Sequence, residues 1–125
     1  MIITLPTVKK TYDEQTETTT VTREDLRVEI DTSFKAHLKW EEQFQSQKGI
    51  DLTEMTAKVS GWVKDAKKAA LHMSDMLRVL YCYINTDKLP TFSDFVGILE
   101  PENALEVIEK IGKVLAETGK TIAKK

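Results

Sequence analysis

The hydrophobic period changes once along this chain, at Asp31, and that change restricts it to a mixed fold. Leu26, Val28 and Ile30 alternate with Arg27, Glu29 and Asp31, the period of two of a half-buried strand. Beyond Asp31, Phe34, Leu38, Trp40 and Phe44 lie in a segment without Gly or Pro, and helical spacing persists from there. Strands followed by helices define the α+β class. The expected architecture is α+β, mostly α: an N-terminal β-hairpin at about 16–31, then a compact bundle of about four to five helices.

The hairpin is placed by β-branching. Thr18-Thr19-Thr20-Val21-Thr22 is β-branched throughout and favours extended backbone. Arg23-Glu24-Asp25 reads as the turn, giving strands of roughly 16–22 and 26–31. Residues 2–5 offer a further strand, which Pro6 keeps short or at an edge. Residues 7–15 read as a mobile loop, so 1–15 is expected to be flexible.

Helix signals then follow in series. Asp31 or Thr32 is the expected N-cap of a helix over about 33–47, and Gly49 stands where a left-handed C-terminal residue belongs. Asp51-Leu52-Thr53-Glu54 forms a capping sequence flanked by Ile50 and Met55, with Gly61 a weak point or a close contact in the helix after it. The stretch 66–85 is apolar over most of its circumference, with Ala70, Met73, Leu77, Leu80, Tyr81 and Ile84 as its main stripe. Such a helix is central or faces partners on two sides. Thr91 and Asp94 start a short helix; Pro101 opens a last one whose stripe is Leu105, Ile108, Ile111 and Leu115 and which Gly119 ends. The helical part is thus 33–119, and 120–125 reads as a frayed tail.

At 125 residues, 41% apolar and 30% charged, the chain has the size and balance of one domain, 1–125. A net charge of -2 excludes nucleic-acid binding by mass charge. The basic cluster Lys64, Lys67 and Lys68 is diluted by Asp65 and lacks interleaved aromatics, so no nucleic-acid partner is expected. The longest apolar run, Val79 to Ile84, is far below the about twenty residues of a membrane span. The first residues lack the order of a secretory signal, and Cys82 is the only cysteine, so a reducing cytoplasm is the expected location.

Catalytic patterns are not found. The scattered glycines match neither nucleotide fingerprint, and there is no Gly-x-Ser-x-Gly elbow. The expectation is therefore no enzyme, no cofactor and no metal. A rival reading is a metal-dependent enzyme. His37 with Glu41 and His72 with Asp75 each share a helix face, and four ligands would meet if those helices packed together. Ordinary surface contacts explain the same spacing. The aromatics Trp40, Phe44, Trp62, Tyr83, Phe92 and Phe95 are the candidate partner-binding residues, with core packing the competing use of each.

From Glu17 to Gly119 the order of features resembles the tail assembly chaperones of long-tailed, siphovirus-type bacteriophages. A polar β-ribbon, 18–30, runs into the aromatic and acidic helix Phe34-Lys35-Ala36-His37-Leu38-Lys39-Trp40-Glu41-Glu42-Gln43-Phe44. Gly49-Ile50-Asp51-Leu52 follows as the glycine and capped turn. Leu77-Arg78-Val79-Leu80-Tyr81-Cys82-Tyr83 is similar to the family's Leu-rich, Tyr-containing segment, and Leu89-Pro90-Thr91-Phe92 opens a penultimate helix. Residues 1–15 and the link 45–48 depart from the pattern. The resemblance implies a non-enzymatic chaperone of virion assembly acting in the host bacterial cytoplasm and absent from the mature virion. It implies that the tape measure protein and the tail tube protein are partners and that copies self-associate. Lys124-Lys125 fits the adenine-rich slippery run at which many members shift frame. The alternative is a small helical interaction module of antitoxin or anti-repressor type with no phage tail role.

Overall fold

The computed structural model describes residues 1–123, with side chains through Gly119. Strand β1, Ile2–Asp13, pairs antiparallel with β2, Thr18–Ile30, in the register Ile3↔Val28, Leu5↔Leu26, Lys10↔Val21 and Asp13↔Thr18. A two-residue strand β3, Ile84–Asn85, joins the far edge of β2 beside Glu29 and Ile30, so the sheet order is β1-β2-β3.

The hairpin expected at 16–31 is therefore corrected. The turn is 14–17, not 23–25, and the segment expected to be flexible, 1–15, is mostly strand. Asp13 explains the turn: its Oδ1 accepts the Gln15 N–H at 2.9 Å, a local side-chain turn that needs no glycine. Glu17 takes the left-handed conformation, φ 52°, that closes such loops. Arg23, Glu24 and Asp25 lie mid-strand opposite Val8, Thr7 and Pro6. Pro6 is tolerated because β1 is an edge strand.

Six helices follow, against the four to five expected. Helix α1 runs as Phe34–Trp40, passes through a π turn at Glu41–Gln45 and finishes at Ser46–Lys48. Its N-cap is Ser33, not the expected Asp31 or Thr32: the Ser33 Oγ accepts the Lys35 N–H at 3.3 Å, and Asp31, two residues back, accepts the Ser33 N–H at 2.8 Å instead of capping the helix itself. Gly49 ends α1 at φ 73°, as expected. Helix α2, Leu52–Trp62, starts on Asp51, whose carboxylate accepts the Glu54 N–H at 2.8 Å. The stretch 66–85, read as one helix, is broken at His72 into α3, Ala66–Leu71, and α4, Met73–Tyr83. Helix α5, Phe92–Gly97, is capped by Thr91. A short 3-10 turn, Pro101–Asn103, leads into α6, Ala104–Ala123. That helix continues through Gly119, against expectation; of the expected frayed tail, 124 and 125 lie outside the described residues.

Helix α4 is the hub. It touches α1, α2, α3, α5 and α6, and it buries Met76, Val79, Leu80, Tyr81, Cys82 and Tyr83. The expected stripe is rotated: Ala70 is exposed, and Met76 and Val79, which lie outside that stripe, sit at the centre, while Leu80, Tyr81 and Ile84 are buried as expected. Helix α6 is rotated too. It buries Val107, Ile111, Val114 and Leu115 and leaves Leu105 80% exposed. Ile3, Leu5, Val28 and Ile30 add the sheet's contribution to one hydrophobic cluster. Among the described residues no helix is long and apolar enough to cross a membrane.

Candidate functional site

Four of the six aromatics expected at a partner surface are core residues. Trp40 and Phe95 are fully buried, and Phe44 and Tyr83 nearly so. Trp40 packs 5.3 Å from Phe44, which meets Phe92 at 5.4 Å and Tyr81 at 6.3 Å; Phe95 lies 5.7 Å from Tyr81. Such tilted and edge-on pairs stabilise the core beyond their buried area. The Trp40 indole N–H donates to the Ile50 carbonyl at 2.9 Å, and the Tyr83 hydroxyl is 3.1 Å from the Thr56 hydroxyl. Their polar atoms are thus satisfied internally, and nothing in these four side chains is offered to a partner. Phe92 is half-buried on the rim of the cluster, with the Arg78 guanidinium 5.3 Å from its ring centre. Trp62 is half-buried and stacked on His72 at 4.0 Å and 13°.

Of the four side chains considered as metal ligands, Glu41 is exposed and the other three have other neighbours, His72 through its stack on Trp62. His37 meets Phe34 edge-on at 6.0 Å. Asp75 accepts from Lys48 at 2.7 Å and from Arg78 at 3.0 Å. Among the described residues no group of three or more His, Cys, Asp or Glu is placed to hold a metal ion.

Cys82 and Lys39 meet at the end of α4. The Lys39 ammonium donates to the carbonyls of Tyr81 at 2.9 Å and Ile84 at 3.3 Å and sits 3.7 Å from the Tyr81 ring centre. It closes the C-terminal carbonyls of that helix, a position favourable for a cation. Desolvation lowers the Lys39 pKa. Burial pushes the Cys82 thiol up to about 12, with Lys39 only partly opposing it. At neutral pH the thiol is therefore protonated and is not a nucleophile.

The unusual surface is the hairpin. Every residue from 9 to 25 is exposed, so beyond Val8 and Leu26 the two strands leave the core and continue as a ribbon solvated on both faces. Residues 9–13 extend it roughly 17 Å to the turn. Its base is tied down by two ion pairs, Lys10 with Glu100 at 2.8 Å and Arg23 with Glu106 at 2.9 Å. Tyr12 and Val21, 60% and 48% exposed, are diagonal neighbours on one face of it. The helical part offers a second apolar feature: Phe34 and Leu38, one turn apart on α1, are 83% and 61% exposed.

Sequence reasoning placed half of this ribbon in a loop. The available signal was the threonine content of 11–22: β-formers without apolar alternation describe a ribbon with no buried face. Comparison with protein-family models, with curated proteins and with solved structures finds no match to this chain.

Proposed function

We propose that this chain is a tail assembly chaperone of the long-tailed phage type. In this reading it binds the tape measure protein, keeps that long helical chain soluble and helps recruit tail tube subunits to it in the host cytoplasm. It carries out no chemistry and leaves before the virion is complete. The sequence resemblance supplies the identity. The observation that supports a binding role is the projecting ribbon, residues 9–25, held out from a closed core. An isolated two-stranded ribbon is marginal in water, so such an arm gains stability when something lies against it. Phe34 and Leu38 offer a separate apolar contact of the kind that an amphipathic helix covers. Many weak contacts of this sort along one long partner add through multivalency.

The test is co-expression with the very long helical reading frame expected beside this gene. The proposal expects that protein to be soluble only when this chain is present, in a complex carrying many copies of it. A long partner that precipitates regardless overturns the proposal. A fixed one-to-one complex with a small partner instead favours the antitoxin or anti-repressor alternative.

A further inference from the structure

We propose that two copies of this chain join edge to edge along β2, antiparallel about a two-fold axis at Val21, turning two ribbons into one four-stranded sheet. The backbone geometry selects the edge. The Ile30 N–H donates to Met1 and the Asp31 N–H to Tyr83, so even-numbered residues of β2 point toward β1 and odd-numbered ones away from it. Strand β3 occupies that outer edge only beside Glu29 and Ile30. The outward backbone groups of Thr19, Val21, Arg23, Asp25 and Arg27 have no hydrogen-bond partner among the described residues. The opposite edge offers a shorter free run. Of the outward positions of β1 in the ribbon and at its base, Pro6 has no N–H and Val8 is already bonded to Ile98 at 2.8 Å, which leaves only Lys10, whose charge would meet its own copy, and Tyr12 beside the turn.

Charge excludes the registers centred further along the strand. Two-fold pairing centred at residue 23, 24 or 25 sets Arg23, Glu24 or Asp25 directly against the same residue of the second copy, which is destabilising. Of the registers that avoid this, the one centred at Val21 sets the apolar residue of the ribbon strand on its own copy, with Thr20 on the second copy's Thr22, Thr19 on its Arg23 and Thr18 on its Glu24; no like charges are opposed over residues 18–24, and the first such pair, Glu17 with the second copy's Asp25, falls at the turn beyond the strand. About six backbone hydrogen bonds then form across the seam. The same register brings both Val21 side chains, each flanked diagonally by Tyr12, onto one face, where the two Val21 side chains meet across the seam.

This inference deepens the reading of the ribbon as a docking arm and rests on it. It is tested on the full chain by sedimentation and by cross-linking. The interface is small, so dissociation constants on the order of 10–100 μM are expected, with a species of twice 14.2 kDa above that range. V21P removes one outward N–H and leaves the β1 ladder, carried by Thr20 and Thr22, intact; V21K opposes two charges at the axis. Both variants are expected to keep the wild-type circular dichroism and to sediment as monomers. V21C chains should link on mild oxidation, because paired Cα atoms about 5.5 Å apart lie within disulfide range; K10C chains, on the other edge, should not. Cys82 is buried and does not compete. A wild-type chain that is monomeric at roughly ten times that range, a folded V21K that still dimerises, or linking of K10C but not V21C overturns the proposal. Those results leave the co-expression outcome untouched, so failure of the pairing and failure of the chaperone reading are separable.

Discussion

Replacing Trp40 by phenylalanine distinguishes a core residue from a partner anchor at the position where the two readings differ most. Trp40 is fully buried, and its indole N–H donates to the Ile50 carbonyl at 2.9 Å, pinning the corner between α1 and α2. The substitution removes roughly 40 Å³ of side chain, and at about 24 cal/mol per Å³ of cavity that costs about 1 kcal/mol. Losing the hydrogen bond costs about 1 kcal/mol more; Ile50 is half-exposed, so water re-solvates its carbonyl and holds the cost near that figure. W40F is therefore expected to lose about 2 kcal/mol in urea titrations followed at the helical circular-dichroism band, with an unchanged m-value. The corresponding fall in Tm is about 8 °C for a chain of this length. Trp62 remains as an independent fluorescence probe. A loss below about 0.5 kcal/mol, the size of a surface substitution, would refute the core assignment and return Trp40 to the docking surface.

Gly49, ahead of α2, and Gly61, inside it, should respond oppositely to alanine. Gly49 stands at φ 73° and an added Cβ meets nothing, so G49A costs about 1 kcal/mol by backbone strain alone, whereas G61A, in open space within a helix, gains up to about 1 kcal/mol; in urea titrations a gain for G49A would refute the first account and a loss for G61A the second. The Cys82 thiol, pushed up to about 12 by burial, should show thiolate absorbance near that pH in the folded chain and near 9 in denaturant. Because the folded value is raised, its contribution to stability is complete below about pH 9 and is lost as pH rises through about 12. F34D and L38D, at exposed positions of α1, should leave the Tm within a few degrees and reduce binding of the long helical partner at least tenfold; a Tm fall like that of W40F would place them in the core.

Much of the local structure is legible in the residues themselves. Asp51 and Thr91 cap helices, and Gly49 ends one, because each needs only neighbours within three or four positions. The α+β class follows from the change of period at Asp31 in the same way. The hairpin turn was misplaced because two polar segments, 14–17 and 23–25, carry equal local licence to turn. Pairing of Ile3 with Val28 and Leu5 with Leu26 decides between them, and those partners are far apart in sequence. The rotated faces of α4 and α6 have a similar origin. Leu105 is as apolar as Val107, but the 3-10 turn at Pro101–Asn103 and the contact of α6 with β1 set which of the two turns inward.

The candidate site divides along the same line. That the ribbon is polar on both faces is written in its threonines, because a strand with no apolar alternation has no face to bury. Which aromatics meet a partner is not written anywhere in one dimension, since Trp, Tyr and Phe serve cores and interfaces equally well. Convergence of five helices on α4 draws Trp40, Phe44, Tyr83 and Phe95 inward and leaves Phe34 and Leu38 outside. The sequence by itself determined the caps at Asp51 and Thr91, the stop at Gly49, the helical period and the class, all short-range consequences of side-chain chemistry. The tertiary structure alone decided the strand register, the inward face of each helix and the open edge of β2, because burial depends on contacts between residues that are distant along the chain.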